Sequence, residues 1–289
     1  MSLLETTASP SSSPTIMPDV QGRPDTRRIA IDHVGVRDVR HPVQVTDRDG
    51  VAQRAEGRLR MGVELPATAK GTHMSRFLEL LSNPVEPFSV ESLGRHVERM
   101  IQRLDARAGS LELNFRHFLE KPAPVTGTPS LLDYDTTLFG EIDTFGARRT
   151  LLKVVVPVTS LCPCSKEISE RGAHNQRSHI TVVADLLSPV WIEEIAKLVE
   201  QEASCELFGL LKRPDEKWVT ERAYDNPKFV EDLVRDVATA LTRDSRIGGY
   251  SVESENFESI HNHSAYAIID RLEKTRGGQS ISPWSSLGA

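Results

Sequence analysis

Two long stretches near the start of the chain alternate residue by residue and set what it can fold into. RIAIDHVGVRDVRHPVQV (Arg28–Val45) and GRLRMGVELPA (Gly57–Ala67) flank the turn signal Asp47-Arg48-Asp49-Gly50. Alternation of this length predicts two long antiparallel strands with one face covered. The covering element follows. Val90, Leu93, Val97, Met100, Ile101 and Leu104 recur at three- and four-residue steps, leaving Glu91, Arg95, Glu98 and Arg99 outside, which predicts an amphipathic helix. GSLELNFRHFL then alternates again, and a Pro/Gly-containing linker is expected over Lys121–Ser130.

The second half repeats this scheme. Strands are expected over Phe145–Val158 and Ser178–Leu187, and helices over Trp191–Cys205 and Pro227–Thr242. The second helix turns Phe229, Val230, Leu233, Val234, Val237 and Leu241 inward, and has proline in its first turn. A last strand is expected over Tyr250–Ile269. Strand pairs and then helices, twice over, predict an α+β chain with helices packed on one face of antiparallel strands. The similarity between the halves is too weak for an exact repeat. The division is a mobile Ser/Pro/Thr-rich arm over 1–27, a first unit over 28–135 and a second over 136–289.

Composition narrows the function. Of 289 residues, 38% are hydrophobic and 26% charged, the balance of ordinary globular material. A net charge of −6 argues against a general nucleic-acid binder. No apolar run reaches membrane-spanning length and no leader opens the chain, so a cytoplasmic protein with no membrane partner is expected. Three cysteines, two of them one residue apart, suit a reducing compartment and thiols kept for chemistry or metal.

Four segments concentrate polar residues. S-L-C-P-C-S-K-E-I-S-E-R-G-A-H holds Cys162, Cys164, Lys166 and His174. Leu210–Tyr224 holds Lys212, Glu216 and Glu221. NPKFVEDLVRD opens a helix with Glu231. In SENFESIHNHSAYA, His261 and His263 alternate within the expected strand and so share a face. A thiolate, an imidazole and a carboxylate make a workable ligand set for a divalent transition metal with one position open to water. Each residue also has a plain reading. Cys205 reads as a small buried hydrophobe, Glu216 and Glu221 as loop charges, Glu231 as a solvated helix face, and the histidines as backbone-satisfying strand residues. Spacing alone stops at a possible metal hydrolase.

SLCPCSKEISERGAHNQRSH, LLKRPDEKWVTERAYDNPKFVEDLVRD and ESENFESIHNHSAYA together resemble GTP cyclohydrolase I of type IB. MPDVQ (Met17–Gln21) and KGTHMSRF (Lys70–Phe77) are similar to that family too, so the resemblance covers nearly the whole chain. It implies two tandem tunnelling-fold units assembling into barrels, and homo-oligomers, tetramers, with active sites at subunit interfaces. It also implies conversion of GTP and water to 7,8-dihydroneopterin triphosphate and formate, the first step of tetrahydrofolate biosynthesis.

Carried across by motif, Cys162, His174 and Glu216 would hold one divalent ion, Mn²⁺, Zn²⁺ or Fe²⁺. Glu231 would grip the guanine edge and His261 would move protons. Lys166, Arg171, Arg177, Lys212 and Arg213 are candidates for the triphosphate. Cys164, Glu221 and His263 stand as alternatives beside them. A second tunnelling-fold activity stays open, the nitrile reductase of queuosine biosynthesis, with Cys162 as nucleophile and NADPH as reductant. So does a non-catalytic, metal-binding oligomer.

Overall fold

The alternating segments pair around their turn. In a computed structural model, which describes residues 19, 21–82 and 86–272, β1 (Ile31–Thr46) and β2 (Ala52–Leu65) form an antiparallel hairpin. Asp47 Oδ1 accepts from the N–H groups of Asp49 and Val51 at 3.0 and 2.8 Å. Gly50 takes the left-handed position at φ +77° that a turn of this kind needs.

The chain continues through α1 (Met74–Ser82), α2 (Leu93–Leu104), β3 (Gly109–Pro122), β4 (Pro129–Ile142) and β5 (Arg148–Leu161). Then come α3 (Pro163–Ile168), β6 (Asn175–Leu186), α4 (Ile192–Glu202) and the two-residue β7 (Cys205–Glu206). Last are α5 (Arg213–Asp225), α6 (Val230–Arg243), β8 (Ile247–Asn256) and β9 (Ala265–Asp270). The strands make one antiparallel sheet in the order β1-β2-β3-β4-β5-β6-β8-β9, with β7 added against β5.

The helices cover one face. Leu93, Val97 and Met100 of α2, Ile195 and Val199 of α4, and Leu233, Val237 and Leu241 of α6 bury against Leu113, Leu138, Val154, Val182 and Val252 of the strands, in one continuous core. Close approach of α2 to β4 uses Gly140, where an added methyl would meet Leu93 Cγ at 2.9 Å.

Several expectations need correction. The Lys121–Ser130 linker is a tight turn: β3 runs to Pro122, Ala123 N–H donates to Thr128 O at 2.9 Å, and β4 begins at Pro129. β4 itself was not anticipated, nor was α1. Toward its end β4 is buried on both faces, Leu138 in the main core and Phe139 in a small cluster with Leu151 and Val183, so it shows no alternation. The expected division after residue 135 falls inside this strand.

The strand expected from Phe145 starts at Arg148. Phe145 is 87% exposed in the turn before it, where its N–H donates to Asp143 Oδ1 at 2.8 Å. Leu210–Tyr224, expected as a loop, is mostly helix α5. The expected Tyr250–Ile269 strand is two strands, and residues 257–264 connecting them carry His261 and His263. The arm up to residue 18, the Asn83-Pro84 loop and the polar tail from residue 273 lie outside the described residues.

Candidate active site

The site grows from the end of β5. Cys162 is the first residue beyond that strand and caps α3, with Pro163 in the first turn and Sγ accepting from Ser165 N–H at 3.5 Å. The loop then returns to its origin. Cys162 N–H donates to His174 O at 3.1 Å. Ser165 Oγ bonds both strands of the loop at 3.1 Å, donating to Cys162 O and accepting from His174 N–H. Two of the expected metal donors are thus locked side by side within one chain.

The His174 ring is held as well. Its Nδ1 lies 3.0 Å from Oε1 of Gln176, a buried β6 residue, and 3.9 Å from Glu258 Oε2. With Nδ1–H donating to the amide oxygen, Nε2 keeps its lone pair. The motifs had not pointed to Ser165, Gln176 or Glu258. The available signal was Gln176 two residues past His174, where period-two geometry puts them on one face of a strand.

The other expected residues gather at the same end of the sheet. Lys228 N–H donates to Leu161 O at 3.0 Å and Ser160 Oγ to Lys228 O at 3.3 Å, which ties the start of α6, with Glu231 in its first turn, to the end of β5. Phe257 N–H donates to Arg177 O at 3.0 Å and opens the β8–β9 connection. There the rings of His261 and His263 are exposed and stacked, centroids 5.0 Å apart, so a loop brings them together instead of strand alternation. His179 meets the Phe257 ring edge-on at 4.9 Å. Burial, and then the charge of Arg177, push its pKa down.

Glu216 sits exposed in the first turn of α5. That turn is fixed by its buried neighbour Asp215. Oδ1 accepts from Val125 N–H and Thr126 N–H, both at 2.9 Å, and Oδ2 accepts from Thr126 Oγ1 at 2.8 Å and Lys212 N–H at 2.9 Å. The β3–β4 turn so anchored lies at the sheet end where β5 finishes.

Burial alone would raise the Asp215 pKa, but these hydrogen bonds outweigh it and bring it to about 2, below the usual 3.8. A depressed carboxylate pKa stabilises the fold above the unfolded-state value near 4, and that contribution fades as pH falls toward the folded value. Asp215→Asn is therefore expected to lower Tm at pH 7 and to lose most of that deficit near pH 2.5 in thermal melts. An equal deficit at both pH values would rule out the carboxylate charge as its source.

Other candidates are occupied elsewhere. Lys217 Nζ stands 2.6 Å from both oxygens of Glu221. Lys166 Nζ donates to Tyr224 O and lies 4.3 Å from the centre of that ring, tying α3 to the end of α5. Arg171, Arg177, Lys212 and Arg213 are exposed. Cys164 is exposed on α3. Cys205 is 1% exposed, and burial, with Glu206 beside it, pushes its thiol up to about 12, which suits an inert core residue. Among the described residues, no three His, Cys, Asp or Glu side chains stand close enough to hold a metal ion. None of the described helices is long and apolar enough to cross a membrane.

Comparison with known proteins gives a consistent result. Residues 17–267 match the family model described as type I GTP cyclohydrolase folE2. The chain is 58% identical over 255 residues to GTP cyclohydrolase FolE2 of Azoarcus sp. (strain BH72), covering 88% of this chain and 95% of that one. It is also 58% identical over 264 residues to GTP cyclohydrolase FolE2 2 of Dechloromonas aromatica (strain RCB), covering 91% and 97%. Among solved structures it is similar to uricase from Arthrobacter globiformis, with 10% identity and a TM-score of 0.47 over 88% of this chain and 97% of that one. With a matching family model across most of its length and such relatives, the chain belongs to the type I GTP cyclohydrolase FolE2 family.

Proposed function

We propose that this chain is a metal-dependent GTP cyclohydrolase I, converting GTP and water to 7,8-dihydroneopterin triphosphate and formate on the way to tetrahydrofolate. The observation that carries the reading is the locked Cys162–His174 pair in a chain 58% identical to FolE2 cyclohydrolases. Nothing in the family match favours the nitrile reductase alternative.

By donor type, though not as a cluster drawn together within this one chain, Cys162, His174 and Glu216 suit a divalent transition metal, Mn²⁺, Zn²⁺ or Fe²⁺. Cys162 offers a thiolate, and His174 offers Nε2 because Nδ1 is committed to Gln176. Glu216 supplies the carboxylate, a choice supported by the commitment of Glu221 to Lys217. Bound there, the ion would supply Lewis acidity that makes water nucleophilic at neutral pH. The chain's own groups do the rest. Glu231 accepts from the ring N1–H and the exocyclic amine of guanine, a bidentate grip that fixes C8 over the site. His261, with His263 stacked on it, donates a proton at N7, which makes C8 electron-poor, and then assists opening of the imidazole ring. Arg171, Arg177, Lys212 and Arg213, all exposed, would supply cations for the triphosphate.

We read the strand-strand-helix-helix-strand-strand run β1–β4, and the run β5–β9 with α3, β7 and one further helix inserted into that order, as tandem tunnelling-fold units of a cytoplasmic homotetramer. The sheet edges β1 and β9, the latter showing Tyr266 and Ile268 71% and 55% exposed, are where copies would join.

Metal-stripped protein given GTP with Mn²⁺, Zn²⁺ or Fe²⁺ in turn should yield formate and, after oxidation and dephosphorylation, fluorescent neopterin. GTP left intact under every metal would defeat the reading. Gln176→Leu should weaken metal binding by about 10–100-fold in chelator competition, because the His174 ring loses the partner that sets its tautomer. Unchanged affinity would show that Gln176 does not orient the ligand.

A further inference from the structure

The face of β5, β6 and β8 that the helices cover changes character toward the candidate site. Away from it the buried side chains are aliphatic: Val156 and Val158 on β5, Ile180 and Val182 on β6, and Val252 on β8. At the site end the same alternation continues with polar residues instead, Ser160, then Gln176 and Ser178, then Ser254 and Asn256, none more than 8% exposed. Polar groups in such a core add little net stability over apolar ones of the same shape, because their hydrogen bonds replace bonds to water. What they add is direction, which apolar packing lacks.

Gln176 uses that direction on the His174 ring. Three of the others form a buried run that leads elsewhere. Ser254 Oγ donates to Asn256 Oδ1 at 3.2 Å, Asn256 Nδ2 donates to Ser160 Oγ at 3.4 Å, and Ser160 Oγ donates to Lys228 O at 3.3 Å. Each group passes its proton the same way along the run, so each bond polarises the next. The run also crosses a strand. β6 lies between β8 and β5, and the residue on it in register with Asn256 is Ser178, small enough to let the amide reach across. Ser178 Oγ itself has no hydrogen-bond partner among the described residues.

Both ends of the run meet the site. Lys228 stands three residues before Glu231, and its N–H and carbonyl are both held by the last two residues of β5, beside Cys162. Asn256 is the last residue of β8. Its carbonyl accepts from Glu258 N–H at 3.0 Å, in the connection that carries His261 and His263.

We propose that the buried run Ser254–Asn256–Ser160 positions the start of α6, and with it Glu231, against the end of β5 that carries Cys162. This rests on the assignment of Glu231 to guanine. Ser160 and Asn256 touch no substrate; they are positioning residues. A carboxylate that grips two donors at once tolerates little displacement, and the fixed bond to Lys228 O holds the helix start where apolar contacts alone allow it to slide.

Selectivity between substrates tests the proposal, because ordinary loss of stability does not alter it. Ser160→Ala and Asn256→Leu should each lower kcat/KM for GTP by about 10²-fold, the size expected when a contact group is misplaced by about 1 Å. On inosine triphosphate, which has no exocyclic amine to lose, the fall should be much smaller, so the ratio of the two kcat/KM values contracts. The double variant should be no worse than the poorer single one, since both break the same run. Metal content per chain should stay at the wild-type level, because the Cys162–His174 loop closes through its own bonds. Ser178→Ala removes a hydroxyl from the same buried row but no bond of the run, and should keep the wild-type ratio. Ser254→Ala breaks only the first bond and should contract the ratio less, which keeps the test open if the other variants fold poorly. Equal falls on both triphosphates, or loss of metal together with activity, overturn the proposal. A wild-type protein with no preference for GTP is a separate result: it removes the Glu231 assignment, and the proposal falls with it.

Discussion

Alanine at Cys162 is expected to lower kcat for GTP by at least about 10³-fold and to strip the bound ion, since a three-ligand site rarely survives loss of its thiolate. The loop geometry makes this a clean test. The bonds that close the loop run through backbone and Ser165: Cys162 N–H to His174 O, Ser165 Oγ to Cys162 O, and His174 N–H to Ser165 Oγ. Removing Sγ leaves all three and costs only the weak acceptor at Ser165 N–H. Cys162→Ser separates capping from ligation, because a hydroxyl caps a helix well but binds soft metals poorly. It should fold like wild type and still fail to turn over. Cys164→Ala, at an exposed position on α3, should stay within about threefold of wild type, the size of effect ordinary for a surface change. The measurement is kcat beside metal content per chain. Full metal content in Cys162→Ala would end the ligand assignment, and a collapse in Cys164→Ala instead would move the thiolate by two residues.

What the sequence made legible divides along physical lines. β1, β2, α2, β3, β6, α4 and α6 each bury one face, so their apolar residues keep a period that can be read directly. β4 escapes because Leu138 and Phe139 are buried on opposite faces of the sheet. α5 escapes because its buried residues are only Asp215 and Ala223. Its start is set by Pro214 and by hydrogen bonds of Asp215 to Lys212 and to the distant β3–β4 turn, none of which leaves an apolar stripe. The same gap hid the true setting of Glu216, expected in a loop and found on a helix. His261 and His263 were misplaced because HNHSAYA alternates well enough to pass for strand, while residues 257–264 turn the chain from β8 to β9. Proximity of Cys162 and His174 was legible from their motif. The Ser165 and Gln176 contacts that fix them depend on loop closure, which spacing does not encode.

Glu231→Ala should lower kcat/KM for GTP by about 10⁴- to 10⁵-fold, the range seen when a site built to hydrogen-bond a substrate loses that bond. The carboxylate stands exposed in the first turn of α6, and the helix start keeps its own cap, Asp232 Oδ2 accepting from Phe229 N–H at 3.3 Å, so folding should survive the change. A bidentate grip also makes a prediction about substrate choice. Inosine triphosphate lacks the exocyclic amine, so wild type should prefer GTP strongly. In Glu231→Gln one amide oxygen can still accept from N1–H, but the amide nitrogen meets the guanine amine donor to donor. That variant should lose far more activity on GTP than on inosine triphosphate, compressing the ratio of their kcat/KM values. A ratio that stays at the wild-type value would mean another group reads the amine, because removal of one carboxylate oxygen cannot leave a two-point contact intact.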